Sequence, residues 1–177
     1  MIRRPRLVSR SVAALLAGVG AVTVMSLSGV GGASAAPVVC DSTNGKAAFR
    51  TTPDQACGAR GEGAARAHAE ERTGVGTAIA SARTNGKANA YNLGAKSTAL
   101  AGAATRGTSY SVTAGPGGYA LAQARRGGLT VAIAGIGGTA LAGDPGVKCS
   151  GGFAIAYDST TGKYCFGTGR TYITNMR

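Results

Sequence analysis

The sequence predicts an all-β fold, a short parallel β-solenoid of about 21 residues per coil, with two strands in each coil and a disulfide staple at each end. Three observations carry this. The triplet Ala-[Leu/Ile]-Ala recurs at positions 78–80, 99–101, 120–122, 132–134, 140–142 and 154–156. Its central residues Ile79, Leu100, Leu121 and Leu141 are spaced by 21, 21 and 20, and a second series, Tyr91, Val112, Ile133 and Ile155, runs between them at 21, 21 and 22. The composition excludes a thick core: of 177 residues 30 are Gly and 35 are Ala.

An export signal is expected first. Arg3, Arg4, Arg6 and Arg10 precede an apolar stretch from Val12 to about Val30, and Ala33-Ser34-Ala35 supplies a small-x-small cleavage site. Cleavage after Ala35 leaves 142 residues with 15 basic and 7 acidic side chains, a net +8 against +12 for the whole chain. Only 19 of those 142 are Val, Ile, Leu or Phe. So few large apolar residues with high net charge mark either disorder or an architecture with little core. The columns of the repeat favour the second.

Each coil is read as two strands because apolar and small residues alternate with period two. In the first strand Thr77, Ile79 and Ser81 share one face and Ala78, Ala80 and Ala82 the other; in the second Tyr110, Val112 and Ala114 oppose Ser109, Ser111 and Thr113. Gly86, Gly107 and Gly128 align between the two strands, where a turn with positive φ is expected. The aliphatic face (Ile79, Leu100, Leu121, Leu141) is expected inside and the Ala face outside, because burying such a side chain stabilises by about 1.5–3 kcal/mol. The reverse arrangement exposes an aliphatic ladder and implies an oligomer. Thr77, Thr98 and Thr139 form a further column, interrupted by Tyr119. An antiparallel meander or a partly disordered chain is the alternative.

The resulting division is a secretory signal at 1–35, an N-terminal cap with a disulfide at 36–75, the β-repeat block at 76–159 and a C-terminal cap at 160–177. Within the first cap, residues 52–55 (Thr-Pro-Asp-Gln) suggest a short helical turn and residues 65–69 an imperfect extra rung; Thr171 to Thr174 suggests a closing strand. Cys40 and Cys57 flank the repeats on one side, and Cys149 and Cys165 lie at and beyond the last unit. Four cysteines in an exported chain imply two disulfides, with three connectivities open. Local pairing places one staple at each end, where a solenoid needs a cap, and closing about 15 residues is worth roughly 3 kcal/mol in the chain-entropy description.

Chemistry has few residues to work with. His68 is the single histidine, and beside Glu70 and Glu71 it reads as a solvated surface cluster; CxxC, HExxH, P-loop and nucleophile-elbow patterns are missing. No catalytic, metal or cofactor site is therefore expected. Charge placement is the better clue. Between residues 73 and 143 stand Arg83, Lys87, Lys96, Arg106, Arg125 and Arg126, with no acid. Arg83 and Arg125 share a column and Arg106 and Arg126 lie within two positions of it, which makes one turn edge a basic ridge. Such a ridge attracts anionic envelope polymers and also keeps an Ala-rich rod soluble. Specific nucleic-acid recognition is not expected, since the tyrosines form no stacking platform, and no membrane anchor is expected to remain after cleavage.

The run VAIAGIGGTALAG at 131–143 resembles the AxAxG-type repeats of trimeric autotransporter adhesin heads, which implies stacked β-rolls for the repeats; the 21-residue period and the cysteines depart from that family, so its trimerisation is not carried over. The order of signal, Cys40 and Cys57, Gly/Ala-rich block, Cys149 and Cys165 resembles a group of small exported actinobacterial proteins. The expectation is a structural or binding module, secreted or at the cell envelope, with a small secreted enzyme or inhibitor using the non-repeat segments as the alternative.

Overall fold

The computed structural model describes residues 36–176, and the expected export signal at 1–35 lies outside them. The described chain is all strand and turn. In order the strands are β1 (Val38–Ser42), β2 (Ala47–Thr51), β3 (Ala56–Gly61), β4 (Arg66–Glu71), β5 (Thr77–Ala82), β6 (Lys87–Asn92), β7 (Thr98–Ala103), β8 (Thr108–Thr113), β9 (Tyr119–Ala124), β10 (Leu129–Ala134), β11 (Gly138–Gly143), β12 (Gly146–Gly151), β13 (Phe153–Asp158), β14 (Lys163–Thr168) and β15 (Tyr172–Thr174).

Successive strands alternate between two sheets. Sheet A has the order β1-β4-β6-β8-β10-β13-β14-β15 and sheet B the order β12-β11-β9-β7-β5-β3-β2. Within the block, neighbours are parallel and in a 21-residue register: Ile79 pairs with Leu100 and Leu100 with Leu121, while Tyr91 pairs with Val112 and Val112 with Ile133. This is a β-solenoid of about four turns.

The parallel coils begin earlier and end earlier than the sequence columns. β3 and β4 pair in parallel with β5 and β6, so residues 65–69, expected as an imperfect rung, belong to a full coil. At the far end β11 still stacks in parallel on β9, but β12 returns antiparallel on β11 and β13 antiparallel on β10, so the rest of the last unit closes the stack. Residues 52–55 form the loop of the antiparallel β2–β3 hairpin and not a helical turn: Thr52 N donates to Gln55 O at 2.8 Å and Gln55 N to Thr52 Oγ1 at 3.2 Å. The closing strand is present as β15.

The interior is the reverse of the expected one. The Ala columns point inward: Ala78, Ala99, Ala120 and Ala140 are fully buried, as are Ala122, Ala132 and Ala154, while Ile79 is 40% exposed and Leu100, Leu121 and Leu141 lie half-buried on the outside. The disulfides give the reason. Cys40 in sheet A joins Cys57 in sheet B, and Cys149 in sheet B joins Cys165 in sheet A, each with Cα atoms 5.9 Å apart. Ordinary stacked sheets lie about 10 Å apart. Along its length a slot this narrow accepts methyl, hydroxymethyl and thiol groups and excludes Leu, larger side chains such as Glu71 and Asn92 entering only at the strand ends beside the turns, so the value of burying a large side chain, taken alone, misleads here. Outside, each aliphatic is covered laterally by its neighbours about 4.8 Å above and below, which recovers part of its burial.

The aligned turn glycines also have a different cause from the one expected. Positive φ falls on Thr84 and Asn85 and on Thr105 and Arg106, the two central residues of turns closed by Gly86 N to Arg83 O and Gly107 N to Ala104 O, both 2.9 Å. Gly86 and Gly107 are required for space: a Cβ on Gly86 would stand 2.8 Å from the Ala103 carbonyl, and one on Gly107 2.8 Å from Ala124 Cβ. Gly128 alone of the three has positive φ, +136°.

The other turn edge is anchored by a polar column inside the slot. Glu71, Asn92 and Thr113 stack at 21-residue spacing and are fully buried. Glu71 accepts from the backbone N of Thr73 and Gly74 (2.8 Å each), from Thr73 Oγ1 and from Asn92 Nδ2 (3.2 Å). Asn92 in turn accepts from Ser97 and Thr113 hydroxyls. Most buried polar groups in proteins are satisfied in this way.

Candidate anion-binding edge

The turns between first and second strands stack as the strands do. Glu62 N donates to Ala82 O, Arg83 N to Ala103 O and Ala104 N to Ala124 O, at 2.7–2.9 Å, and Arg106 N donates to Thr84 O at 3.0 Å. One column therefore reads Glu62, Arg83, Ala104, Arg125, and the neighbouring ones bring in Arg106 and Arg126. All four sequence-predicted arginines, Arg83, Arg106, Arg125 and Arg126, are exposed on this one edge. The narrow coil imposes this, because a tight turn has no interior in which a guanidinium can be placed.

Between Arg83 and Arg125, two coils and thus roughly 10 Å apart, the outer surface dips into a cleft of about 550 Å³ lined by Ser81, Arg83, Gly102, Gln123 and Arg125. The dip exists because Gly102 interrupts the column between Ser81 and Gln123. Arg125 Nη2 donates to Gln123 Oε1 at 3.2 Å, which holds its guanidinium over the cleft. Arg106 belongs to the middle coil, so guanidiniums stand on three successive coils.

Not every cation of the acid-free stretch is on this edge, and some groups from outside that stretch are. Lys96 lies in the opposite turn, between β6 and β7, among the apolar Leu93 and Ile136, the latter 71% exposed. Conversely, Arg60 and Arg66 join the basic edge because β3 and β4 form a coil. Glu62 also lies there, 3.5 Å from Arg60 Nη2 and 3.9 Å from Arg83 Nε. The signal for it was present in the sequence, since Glu62 stands 21 residues before Arg83.

The remaining chemistry-bearing groups gather on the outer face of sheet A. His68 Nδ1 lies 2.6 Å from Asp41 Oδ1, its Nε2 3.9 Å from Glu70, and its ring centroid 5.3 Å from that of Tyr91. Arg72 Nε donates to Glu70 Oε1 at 2.6 Å, which pushes the guanidinium pKa above its ordinary value. Burial, with the charges of Tyr110, Glu70 and Asp41, raises the Tyr91 phenol, and Arg72 opposes the rise. Among the described residues, no three His, Cys, Asp or Glu side chains are grouped to hold a metal ion. Nor is any helix among them long and apolar enough to cross a membrane.

A family model matches residues 4–168, so that its match takes in the coils, both disulfides and the basic edge. The chain belongs to the DUF6764 family. The description of DUF6764 is a family of unknown function. No curated protein and no solved structure matches the chain. The architecture of this DUF6764 member thus rests on its own register, and its closed disulfides are the pairing of an oxidising compartment.

Proposed function

We propose that the protein is an exported module, secreted or held at the cell envelope, that binds anionic envelope polymer along its basic turn edge. The observation that carries the reading is the stacking of successive turns, which gathers Arg83, Arg106, Arg125 and Arg126 from 44 residues of sequence onto one line of exposed guanidiniums. A line of cations spaced by the coil repeat suits a polymer with regularly spaced phosphates or carboxylates, such as a phosphodiester-linked wall polymer. Arginine favours such groups because its planar fork meets an oxyanion with two parallel hydrogen bonds. Glu62 marks one end of the line and would repel the polymer there. Two disulfides and the basic, apolar, small-x-small start of the chain support export.

Replacing all four arginines with alanine tests the reading, because each is exposed and none contributes to the slot. Binding to immobilised polyphosphate is expected to weaken by about tenfold or more, with a shallower dependence of log K on log salt. Unchanged affinity and salt slope refute it.

A further inference from the structure

The Ala-inward packing leaves one surface whose shape and chemistry match a second copy of itself. The outer face of sheet B carries a central ladder running Phe49, Gly58, Ile79, Leu100, Leu121, Leu141, Lys148 across its seven strands. From β5 to β11 the three outward columns hold only Thr, Tyr, Ile, Leu, Ser, Gln and Gly, with no ionisable group other than Tyr119. The ladder ends differently at its two extremities. At one end the Phe49 ring lies across Gly58 and is 64% exposed. At the other an apolar cleft of about 360 Å³ opens among Leu121, Leu141, Pro145, Val147 and Met176.

We infer that two copies of this chain pair face to face through sheet B, about a two-fold axis along β7, with Phe49 of each copy seated in the cleft of the other. A two-fold along β7 lays β2 on the partner's β12, β3 on its β11 and β5 on its β9. Phe49 falls opposite Lys148, which lines the cleft with Leu141, and the remaining relations are apolar or charge-paired. Leu100 meets the second Leu100 on the axis, Ile79 meets Leu121, and Leu141 comes over the Phe49 ring that covers Gly58, the one ladder position without a side chain. Arg60 in β3 comes beside Asp144, exposed just past β11. The self-complementarity required of an isologous interface is thus met by apolar contacts, knob and cleft, and charge. Seven strands at about 4.8 Å and six residues at about 3.3 Å give a face on the order of 600 Å² per copy, or 1,200 Å² for the pair, the lower end of specific interfaces.

Sheet A does not offer the same match. Its outer face is aromatic toward β13 and β14 (Tyr157, Tyr164, Phe166) but charged toward β1 and β4 (Asp41, His68, Glu70, Arg66). A corresponding two-fold buries those charges against apolar rings, which costs several kcal/mol. Pairing through sheet B covers Ser81, Gly102 and Gln123, the floor of the cleft beside Arg83 and Arg125, and leaves the turn residues Arg106 and Arg126 at the rim of the interface.

The test is sedimentation velocity on the exported, oxidised full chain over a concentration series, with Leu100→Lys and Phe49→Ala beside it. Wild type is expected at twice the chain mass. Leu100→Lys sets two ammonium groups together on the axis and is expected to raise the dimer dissociation constant by about 100-fold or more, with an unchanged far-UV CD spectrum; Phe49→Ala weakens the dimer without touching the slot. Leu100→Cys is expected to form an intermolecular disulfide on mild oxidation, whereas Tyr157→Cys on sheet A is not. A single-chain mass at every concentration, a trimer or larger species, a dimer indifferent to both Leu100→Lys and Phe49→Ala, or cross-linking of the Tyr157→Cys variant in place of the Leu100→Cys variant overturns the inference.

Discussion

Exchanging the sizes of two adjacent residues separates inside from outside. Ala122 is fully buried in β9 and Leu121 beside it faces out. The disulfides at both ends show a Cα separation across the slot of 5.9 Å. Ala122→Leu adds three carbons where the facing positions already carry Ala132 and Ala134, both fully buried. Overpacking of a tight core costs about 1–3 kcal/mol where the backbone can shift. Here the backbone is held on both sides by parallel ladders, so the upper end, about 3 kcal/mol, is expected. For a chain of this size that lowers Tm by roughly 6–12 °C. Leu121→Ala removes a half-buried side chain and is expected to cost about 1 kcal/mol, measured by urea denaturation in the dilute monomer so that association does not contribute. Were the aliphatics the true core, Leu121→Ala would cost about 2–5 kcal/mol and Ala122→Leu almost nothing, and that pair of results refutes the packing described here.

Three further perturbations follow from particular contacts. Thr105 holds φ +50°, a left-handed conformation unfavourable to a β-branched residue, so Thr105→Asn is expected to raise stability by about 0.5–1 kcal/mol by chemical denaturation; a loss of stability contradicts the turn geometry. Glu71 accepts hydrogen bonds at both carboxyl oxygens from four donors, so Glu71→Gln turns an amide NH2 toward a donor and is expected to cost about 1–3 kcal/mol. The Tyr91 phenol is raised above its ordinary value of 10.0, chiefly by burial. Below pH 10 both folded and unfolded chains hold this proton and its contribution to stability is complete; as pH climbs from 10 through the raised value the unfolded chain alone releases it, and stability falls. Tyr91→Phe is therefore expected to lose stability less steeply than wild type in that alkaline window, and equal slopes refute the assignment.

Period, strand positions and staples were legible because a solenoid writes its register into sequence: residues 21 apart occupy neighbouring strands, so the spacing of Ile79, Leu100 and Leu121 by itself declares their pairing. The interior face was not legible from the same columns. Alternation assigns residues to two faces without naming the inner one, and the usual preference for burying Leu over Ala fails when the slot is too narrow for Leu. The polar column Glu71, Asn92, Thr113 keeps the 21-residue spacing but carries a different residue type in each coil, so no repeated letter marks it. The first coil was obscured by its composition: Gly58 stands where later coils have Ile or Leu, and Phe49 from the neighbouring strand covers it. At the candidate site the four arginines were legible as one turn ridge, Arg83 and Arg125 in a column and Arg106 and Arg126 beside it, whereas Arg60, Arg66 and Glu62 entered only once β3 and β4 proved to be a coil. The positive φ at Thr84 and Thr105 left no mark in the sequence, since neither position carries glycine.

The claim on which the functional account turns is that the arrangement of arginines, and not net charge, binds polyanion. A relocation variant tests it most directly: Arg106→Asn and Arg125→Gln on the basic edge together with Ala95→Arg and Ile136→Arg, both exposed on the opposite turn edge, leave the net charge unaltered. Polyphosphate affinity measured against salt concentration is predicted to fall by about tenfold in this variant, with a reduced salt slope. Affinity and slope equal to wild type would show that total charge suffices and would contradict the account.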